Sequence, residues 1–346
     1  MHPQPPVNRL AFAVVPSPAH LDPTHPEHPR RLEGLAEAAA ATFGDSLILV
    51  VGSPASEDAL MAVHDPAHLD FLRRACRQAP AVIDYAPTYV SPASFECALE
   101  AAGATLEVLQ AVLDGDAQRG FAAVRPPGHH ATSQQAMGFC LLNNIAVAAR
   151  AAQRRGLERI MIVDFDVHHG NGTQAIFGAD PTVLYLSTHQ QGIYPGSGRL
   201  EDRGVGAGEG YTVNLPLPAF AGDLSFARIA DEIVAPLAVR FRPDLMLVSA
   251  GYDAHWIDPL ANLELTTAGF HQLSASLTAL AEDVCGGRIV FVLEGGYDPA
   301  AVREGVIASS AAMLGIAPPL DALGPHRPTP VDITPVLRAA RALHGL

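Results

Sequence analysis

The sequence predicts an α/β protein built around a parallel β-sheet. Short runs of apolar and β-branched residues alternate along the chain with longer stretches of helical periodicity. A repeated order of strand and then helix favours a parallel sheet with helices on both faces. The chain has no internal repeat of roughly 20–50 residues and no Ser/Gly-rich linker that would divide it. We therefore expect one domain over residues 1–317 and a C-terminal extension over residues 318–346.

The predicted strands are the apolar runs, whose length and β-branched content are typical of strands buried in a sheet. They span residues 10–15, 47–51, 121–124, 160–163, 183–186, 245–248 and 289–293. The predicted helices span residues 29–41, 94–113, 142–155, 224–240, 266–284 and 299–314. In the extension, a Pro-rich stretch at 318–335 precedes a short amphipathic helix at 336–343, which we expect to pack on or near the domain; a loosely held tail is the alternative.

Composition and charge exclude several classes of protein. Of the 346 residues, 49% are hydrophobic and 17% charged, which is enough apolar material for a large core and excludes a disordered or low-complexity chain. The formal net charge is -14, the wrong sign for binding the phosphate backbone of nucleic acids. A protein with no direct nucleic-acid partner is therefore expected.

The cysteines and the apolar segments indicate the compartment. Cys76, Cys97, Cys140 and Cys285 are scattered, which predicts free thiols in a reducing environment rather than a disulfide framework. The N-terminal apolar run is too short for a signal sequence, and no stretch approaches the ~18 apolar residues of a membrane span. We expect a cytoplasmic protein with no membrane partner.

Titratable side chains flanked by glycine follow four of the predicted strands. The segments are Arg125-Pro-Pro-Gly-His-His130, Asp164-Phe-Asp-Val-His-His-Gly-Asn171, Ser249-Ala-Gly-Tyr-Asp-Ala-His255 and Glu294-Gly-Gly-Tyr297. Ligands of an open parallel sheet bind beyond the carboxyl ends of its strands, so these segments are expected to form one site.

Three of these side chains have the chemistry of metal ligands. Asp164, Asp166 and His168 point to one side of an extended segment because side chains alternate along it. With Asp253 from another strand end, Asp166 and His168 would give a divalent ion such as zinc three protein ligands and leave one position open. Such an ion lowers the pKa of a bound water to about 7, as hydrolysis requires. Ligand type does not decide between zinc, ferrous iron and cobalt.

The adjacent His129 and His130 indicate acid–base chemistry. Asp164 and Asn171 are candidates to orient the two rings. An Asp partner favours imidazolium, whereas an Asn partner leaves the imidazole nearer its ordinary pKa. We assign His130 as the general base and later acid, and His129 as its electrostatic neighbour. Tyr297 follows two glycines, and its phenol, protonated at neutral pH, is expected to donate to a developing oxyanion.

Together these segments resemble the zinc-dependent histone deacetylase superfamily, over residues 26–314. The resemblance is carried by the four segments above, by Gly138-Phe-Cys140 with Asn143-Asn144, and by Pro26-Glu-His-Pro-Arg-Arg-Leu32. It implies a three-layer α/β/α fold of the arginase/deacetylase type with an eight-stranded parallel sheet. Asn171 stands where class I members usually carry Asp, so the chain is similar to class II members and their bacterial relatives.

The resemblance also implies a set of binding residues. It places one zinc ion on Asp166, His168 and Asp253, and Tyr297 on the scissile carbonyl. One potassium site would use Asp164, Asp166 and His168 with Ser187 and Thr188, and a second would use carbonyls of Phe177, Asp180, Val183 and Tyr211. The acyl-lysine tunnel would be lined by Gly138, Phe139 and Tyr194, with Leu260 at its rim where polyamine-preferring animal relatives place Glu, and Asp84 gripping substrate amides.

The expected activity is zinc-dependent removal of acetyl groups from lysine ε-amines of proteins or peptides, with release of acetate. The first alternative is a deacetylase of small molecules such as acetylpolyamines, which would use the same catalytic residues. An arginase-like dimanganese hydrolase and a non-catalytic acyl-binding module are further alternatives. The expected partner is an acetylated lysine peptide or small amine, and self-association into a homo-oligomer stays open.

Overall fold

Eight parallel strands form one sheet in the computed structural model, which describes residues 8–318 and 320–346. Two further short strands pair antiparallel in a separate hairpin. In chain order the strands are β1 Leu10–Val15, β2 Leu47–Leu49, β3 Ala81–Val82, β4 Tyr89–Val90, β5 Arg119–Val124, β6 Ile160–Asp164, β7 Val183–Gln190, β8 Thr212–Leu217, β9 Leu245–Ala250 and β10 Ile289–Leu293. The order across the large sheet is β2-β1-β5-β10-β9-β6-β7-β8.

All seven predicted strands belong to this sheet, and the eighth, β8, was missed. It alternates Val213, Leu215 and Leu217, which are buried, with polar residues and a proline, so it lacks the continuous apolar run that marked the others. Pro216 cannot donate to a neighbouring strand, and it is accommodated because β8 lies at the edge of the sheet.

The helices cover both faces of the sheet. They are α1 Leu35–Phe43, α2 Glu57–Met61, α3 Pro66–Arg77, α4 Ser94–Leu113, α5 Asn144–Arg154, α6 Asn171–Phe177, α7 Asp223–Ile229, α8 Ala235–Phe241, α9 Thr267–Cys285, α10 Pro299–Leu314 and α11 Thr334–His344. Of these, α4 and α10 have the predicted bounds, whereas α2, α3 and α6 were not predicted.

Two predicted helices are interrupted, each for a local reason. The helix expected over residues 29–41 begins as a 3-10 turn, and Gly34, whose φ of 71° is left-handed, separates it from α1. The helix expected over residues 224–240 contains a π-helical turn, Ala230–Val234, between α7 and α8. This wide turn ends two residues before Pro236, which has no N–H to donate to the preceding turn.

The core consists of two apolar layers separated by the sheet. Along β1, Leu10 and Phe12 pack into the layer that contains α1, α9 and α10, whereas Ala11 and Ala13 pack into the layer that contains α4 and α5. Together with the sheet these layers give the predicted three-layer α/β/α arrangement, which is confirmed. Among the described residues no helix is both long and apolar enough to cross a membrane.

The C-terminal helix α11 packs on the first of these layers. Its Leu337 and Ala340 are buried there, and Arg240 donates to the carbonyl of His344 at 2.6 Å. The division into a domain over 1–317 and an extension over 318–346 stays a prediction, and its residues 1–7 and 319 lie outside the described residues. The four cysteines form no disulfide in the described chain and are all buried.

Candidate metal centre and active site

The four strands that carry the polar segments are neighbours in the sheet. They occur in the order β5-β10-β9-β6, so the segments that follow them meet at one edge. The sequence predicted that these segments converge. It did not reveal the order of the strands in the sheet, where β10 and β9 lie between β5 and β6, although β6 follows β5 along the chain.

Asp166, His168 and Asp253 converge closely enough to share one ion. His168 Nδ1 lies 3.2 Å from Asp166 Oδ1 and 3.2 Å from Asp253 Oδ2. Among the described residues this is the one group of three such side chains found, with ligand atoms all within 4.8 Å of one another. The donor set of two carboxylates and one imidazole fits a divalent ion such as zinc.

Charge and packing at this group also fit a cation. Burial alone would lower the pKa of His168, but its hydrogen bonds to the two carboxylates raise that pKa to about 10. Burial and the negative charge of Asp166 raise the pKa of Asp253. Positive charge is therefore strongly favoured between the carboxylates, and a metal ion supplies it when the imidazole is neutral. Gly251 and Gly295 leave room here, since a Cβ at either would overlap a carboxylate of the group.

The adjacent histidines have different partners. His129 Nδ1 donates to Asp164 Oδ2 at 3.1 Å, and His130 Nδ1 donates to Asn171 Oδ1 at 2.7 Å. Burial would lower the pKa of His129, but Asp166 and Asp164 raise it to about 10, which keeps the ring charged. Burial and the charges of His129 and His168 hold the pKa of His130 well below its ordinary value.

The pKa of His130 departs from the expectation that an Asn partner leaves it near its ordinary value, because burial and two charged neighbours were not visible in the sequence. The consequence is a neutral ring whose Nδ1 carries the proton that Asn171 accepts. Its Nε2 then presents a lone pair, which is what a general base requires.

Glu294 holds the loop that carries both histidines. Its carboxylate accepts the backbone N–H groups of Gly128 at 2.7 Å and His129 at 3.0 Å, and the hydroxyl of Ser249 at 2.9 Å. The sequence indicated Glu294 only as the first residue of the polar segment 294–297 and did not predict a role for it.

Tyr297 is fixed by Asp258, a residue that the sequence analysis missed. Asp258 Oδ2 accepts the backbone N–H of Tyr297 at 2.7 Å. Burial and the charge of Asp253 raise the pKa of Tyr297 well above its ordinary value, so the phenol stays protonated. The Arg31 guanidinium lies 5.1 Å from the centre of the Tyr297 ring. The available signal was an Asp directly before the Pro-Leu pair that carries the predicted rim residue Leu260.

The residues expected to line the substrate path lie beside the histidines. The ring of Phe139 meets that of Tyr297 edge-on at 5.7 Å, and Tyr194 meets His130 edge-on at 5.1 Å. Gly138 has a left-handed φ of 56°, and a Cβ there would overlap the His130 ring. Phe139, with a φ of 69°, shares this conformation without being glycine, a strain typical of functional sites.

The two expected rim residues take different positions. Asp84 Oδ2 accepts the backbone N–H of Gly138 at 3.1 Å, so it lies at the glycine and aromatic wall. Leu260 is 41% exposed, and its N–H donates to Asp258 Oδ1 at 2.9 Å. Their roles toward a substrate stay predictions.

The residues expected to bind potassium are neighbours in two groups. Asp164 on β6 pairs with Ser187 on β7, and Thr188 Oγ1 donates to the Asp164 carbonyl at 3.3 Å. Phe177, Asp180, Val183 and Tyr211 surround the turn between α6 and β7 and the start of β8, where the carbonyls of Phe177, Asp180 and Tyr211 already accept backbone N–H groups. Both potassium sites stay predictions.

A buried ion network braces the site from behind. Glu27 is fully buried and accepts hydrogen bonds from Arg125, including one of 2.6 Å from Nη2, and from Arg31 at 3.0 Å. Arg31 in turn donates to the carbonyls of Glu294 and Gly296. The network therefore joins the segment around residue 27, whose role the sequence did not reveal, to the loop that carries Tyr297.

Comparison with known proteins identifies the family. The histone deacetylase domain family matches residues 25–313. Histone deacetylase 14, chloroplastic, of Arabidopsis thaliana is 44% identical over 89% of this chain and 77% of its own length. The polyamine deacetylase HDAC10 of Homo sapiens is 40% identical over 84% of this chain and 45% of its own length.

A solved structure and two further relatives complete the comparison. The crystal structure of the HDA15 HD domain superposes with a TM-score of 0.87 at 33% identity, covering 98% of this chain and 94% of that one. Relatives from Archaeoglobus fulgidus and Pseudomonas aeruginosa are 41% and 42% identical, over 80% of this chain and 77% and 73% of their own lengths. Since the relatives span plants, an archaeon, a bacterium and an animal, and include chloroplastic proteins, the bacterial affiliation and the cytoplasmic location stay predictions. The chain belongs to the histone deacetylase family, as a hydrolase that acts on amide bonds.

Proposed function

We propose that this protein is a zinc-dependent deacetylase that removes acetyl groups from the ε-amines of lysine side chains in peptides or proteins and releases acetate. The observation that carries the proposal is the meeting of a metal-ligand triad, a neutral imidazole and a protonated phenol beside the aromatic rings of Phe139 and Tyr194. In this proposal Asp166, His168 and Asp253 hold the zinc. A divalent ion there polarises the substrate carbonyl and lowers the pKa of water.

His130 is the proton carrier of the proposed reaction. Its Nδ1–H is anchored by Asn171, which leaves Nε2 to take a proton from the attacking water. The protonated ring then gives a proton to the amine leaving group. His129 donates to Asp164 and lies beside His130, with ring centres 4.0 Å apart, so a positive charge on His129 would keep the pKa of His130 low enough for this return transfer.

Tyr297 supplies a hydrogen-bond donor for the oxyanion that develops on the substrate carbonyl. Its phenol must be protonated to do so, and burial together with Asp253 ensures this. The Asp258 carboxylate fixes the Tyr297 backbone, so the donor is positioned before substrate binds and costs little reorganisation.

Two potassium ions are proposed as further cofactors, on the resemblance alone. The first would lie at Asp164, Asp166 and His168 with Ser187 and Thr188, and it would offset part of the negative charge that Asp164 presents to His129. The second would lie on the carbonyls around the turn that precedes β7.

A deacetylase of acetylpolyamines is the second candidate. A relative named as a polyamine deacetylase and the net charge of -14, which attracts cationic substrates, favour it. Leu260 opposes it, because this exposed position offers no charge to a polyamine.

The test is acetate release by the zinc-loaded protein from an acetyl-lysine peptide, N-acetylputrescine and N-acetylspermidine at matched concentrations. The proposal predicts a kcat/KM for the peptide more than about tenfold above that of either polyamine, corresponding to about 1.4 kcal/mol in transition-state binding. The opposite ratio would establish the polyamine activity.

A further inference from the structure

The loop that carries Leu260 is closed at its base and attached to the active site on one side. This rim loop, residues 254–265, begins directly after Asp253, and its ends are joined by hydrogen bonds of 3.0 Å from Leu265 N to the Ala254 carbonyl and from Trp256 N to the Leu265 carbonyl. On its inner side, Asp258 binds the backbone of Tyr297 and of Leu260. The contacts on its outer side therefore determine how firmly the part of the loop that carries Leu260 is held.

The outer side is covered by the connector, residues 321–333, which joins α10 to α11. The His326 ring stacks on the Trp256 indole, with ring centres 4.8 Å apart and planes inclined by 12°. His326 Nε2 lies 3.2 Å from Glu264 Oε2, and Thr329 donates to Glu264 through its backbone N–H at 2.7 Å and its hydroxyl at 2.8 Å. These contacts join the connector to both flanks of the rim loop.

The connector is held independently of the loop. Asp321 accepts a hydrogen bond of 3.1 Å from Thr267 near the start of α9, and Ile333 is buried in the core just before α11. It also lies beyond residue 313, where the match to the deacetylase family ends. A segment fixed at both ends and stacked on the outer side of the loop that carries the predicted rim residue Leu260 restricts that loop through Trp256 and Glu264.

We propose that the connector is a specificity element: by stacking His326 on Trp256 and binding Glu264, it sets the position of the rim loop and of Leu260 toward residues that flank an acetyl-lysine. This rests on the proposed function, since it concerns how that site receives a polypeptide. His326 and Thr329 act as positioning residues. Their contacts are to Trp256 and Glu264 on the outer side of the loop. On the inner side, Asp253 accepts the N–H of Val167, and Tyr297 keeps its donor position as long as Asp258 of the same loop stays in place.

The experiment measures kcat and KM of the zinc-loaded full chain for two substrates, an acetyl-lysine peptide with flanking residues and a single Nε-acetyl-lysine derivative. His326→Ala should raise KM for the peptide by roughly fivefold, about 1 kcal/mol, and leave its kcat and both constants of the single residue within about twofold. His326→Phe keeps the stacked ring, so its KM for the peptide should lie close to that of the wild type. Arg327→Ala is the matched control, because Arg327 is exposed and makes no hydrogen bond or ion pair among the described residues.

An unchanged peptide KM in His326→Ala would overturn the proposal, and so would an equal loss for both substrates, which would show that the connector only supports the fold. Trp256 is the single tryptophan of the chain, so its fluorescence reports docking of the connector and binding of peptide without any turnover. A wild type that binds the peptide but releases no acetate would refute the proposed function, and the Kd values of wild type and variant would then test the connector. Absence of binding would refute both.

Discussion

Glu27→Gln removes the negative charge on which a buried network depends. The Glu27 carboxylate is fully buried, and it faces the guanidinium groups of Arg125 and Arg31 and the His20 ring, whose Nε2 is 3.4 Å away. Gln has nearly the same shape and keeps one oxygen in place of Oε1. Its amide group, however, presents donors where Oε2 accepted the 2.6 Å hydrogen bond from Arg125.

The expected loss in the free energy of unfolding follows from the buried guanidinium groups that lose their charged partner. One charge-assisted hydrogen bond, worth about 1.5–3 kcal/mol, becomes a contact between two donors. Removing one partner of a buried ion pair typically costs about 3–5 kcal/mol, because the remaining charge stays buried. Since Gln retains one acceptor oxygen, we expect the lower end, a loss of about 3 kcal/mol in the free energy of unfolding. This is a large part of the roughly 5–15 kcal/mol that stabilises a typical domain.

The assay is urea unfolding followed by circular dichroism. Glu37→Gln is the matched control, because Glu37 is exposed on α1 and its replacement should change the free energy of unfolding by less than about 0.5 kcal/mol. A loss below about 1 kcal/mol in Glu27→Gln would refute the view that this network stabilises the fold.

Wild type and Glu27→Gln should also differ in how their free energies of unfolding depend on pH, and the sign of this dependence is defined. Although burial opposes ionisation of Glu27, Arg125 and Arg31 hold its pKa well below the ordinary value of 4.5. The stability it contributes is therefore fully present above pH 4.5 and is lost as pH falls through the pKa of the folded state. The difference between wild type and Glu27→Gln should be greatest near neutral pH and should narrow below pH 4.5; a constant difference would contradict this.

Three further variants probe the active site. Tyr297→Phe should lower kcat by ~10²–10³ with metal content unchanged, because it removes only the oxyanion donor, and an unaltered kcat would exclude Tyr297 from the chemistry. Asp253→Ala should reduce bound zinc measured by atomic absorption, and full occupancy with full activity would refute the ligand assignment. Asn171→Asp places a carboxylate on His130 and should raise the pKa of that base by about 1–3 units. The acid limb of the pH–rate profile should therefore shift to higher pH. An unshifted acid limb would show that His130 is not the base.

The fold was predictable wherever one local signal dominated. Continuous apolar runs identified the strands of the sheet, and helical periodicity located α4 and α10 at their observed bounds. The edge strand β8 was missed because it alternates along its length. Helix α3 carried readable start signals, Asp65 before Pro66, and was also missed, since its apolar residues are separated by charged ones.

The site was predictable in its composition and not in its pairings. The ends of the strands predicted which residues gather. Which histidine faces Asp164 and which faces Asn171 depends on how the loops after β5 and β6 fold against each other. Glu27 and Arg31 find partners 98 and 265 residues away, and no local pattern encodes such contacts. The depressed pKa of His130 likewise arises from burial and from charges on other segments.

The measurement that tests the account most directly is acetate release from an acetyl-lysine peptide by the protein stripped of metal, before and after addition of one equivalent of Zn²⁺. The triad of Asp166, His168 and Asp253 predicts no measurable release by the stripped protein and recovery of activity at one zinc per chain. Equal activity in both samples, or none with zinc bound, would contradict the assignment of this protein as a zinc-dependent lysine deacetylase.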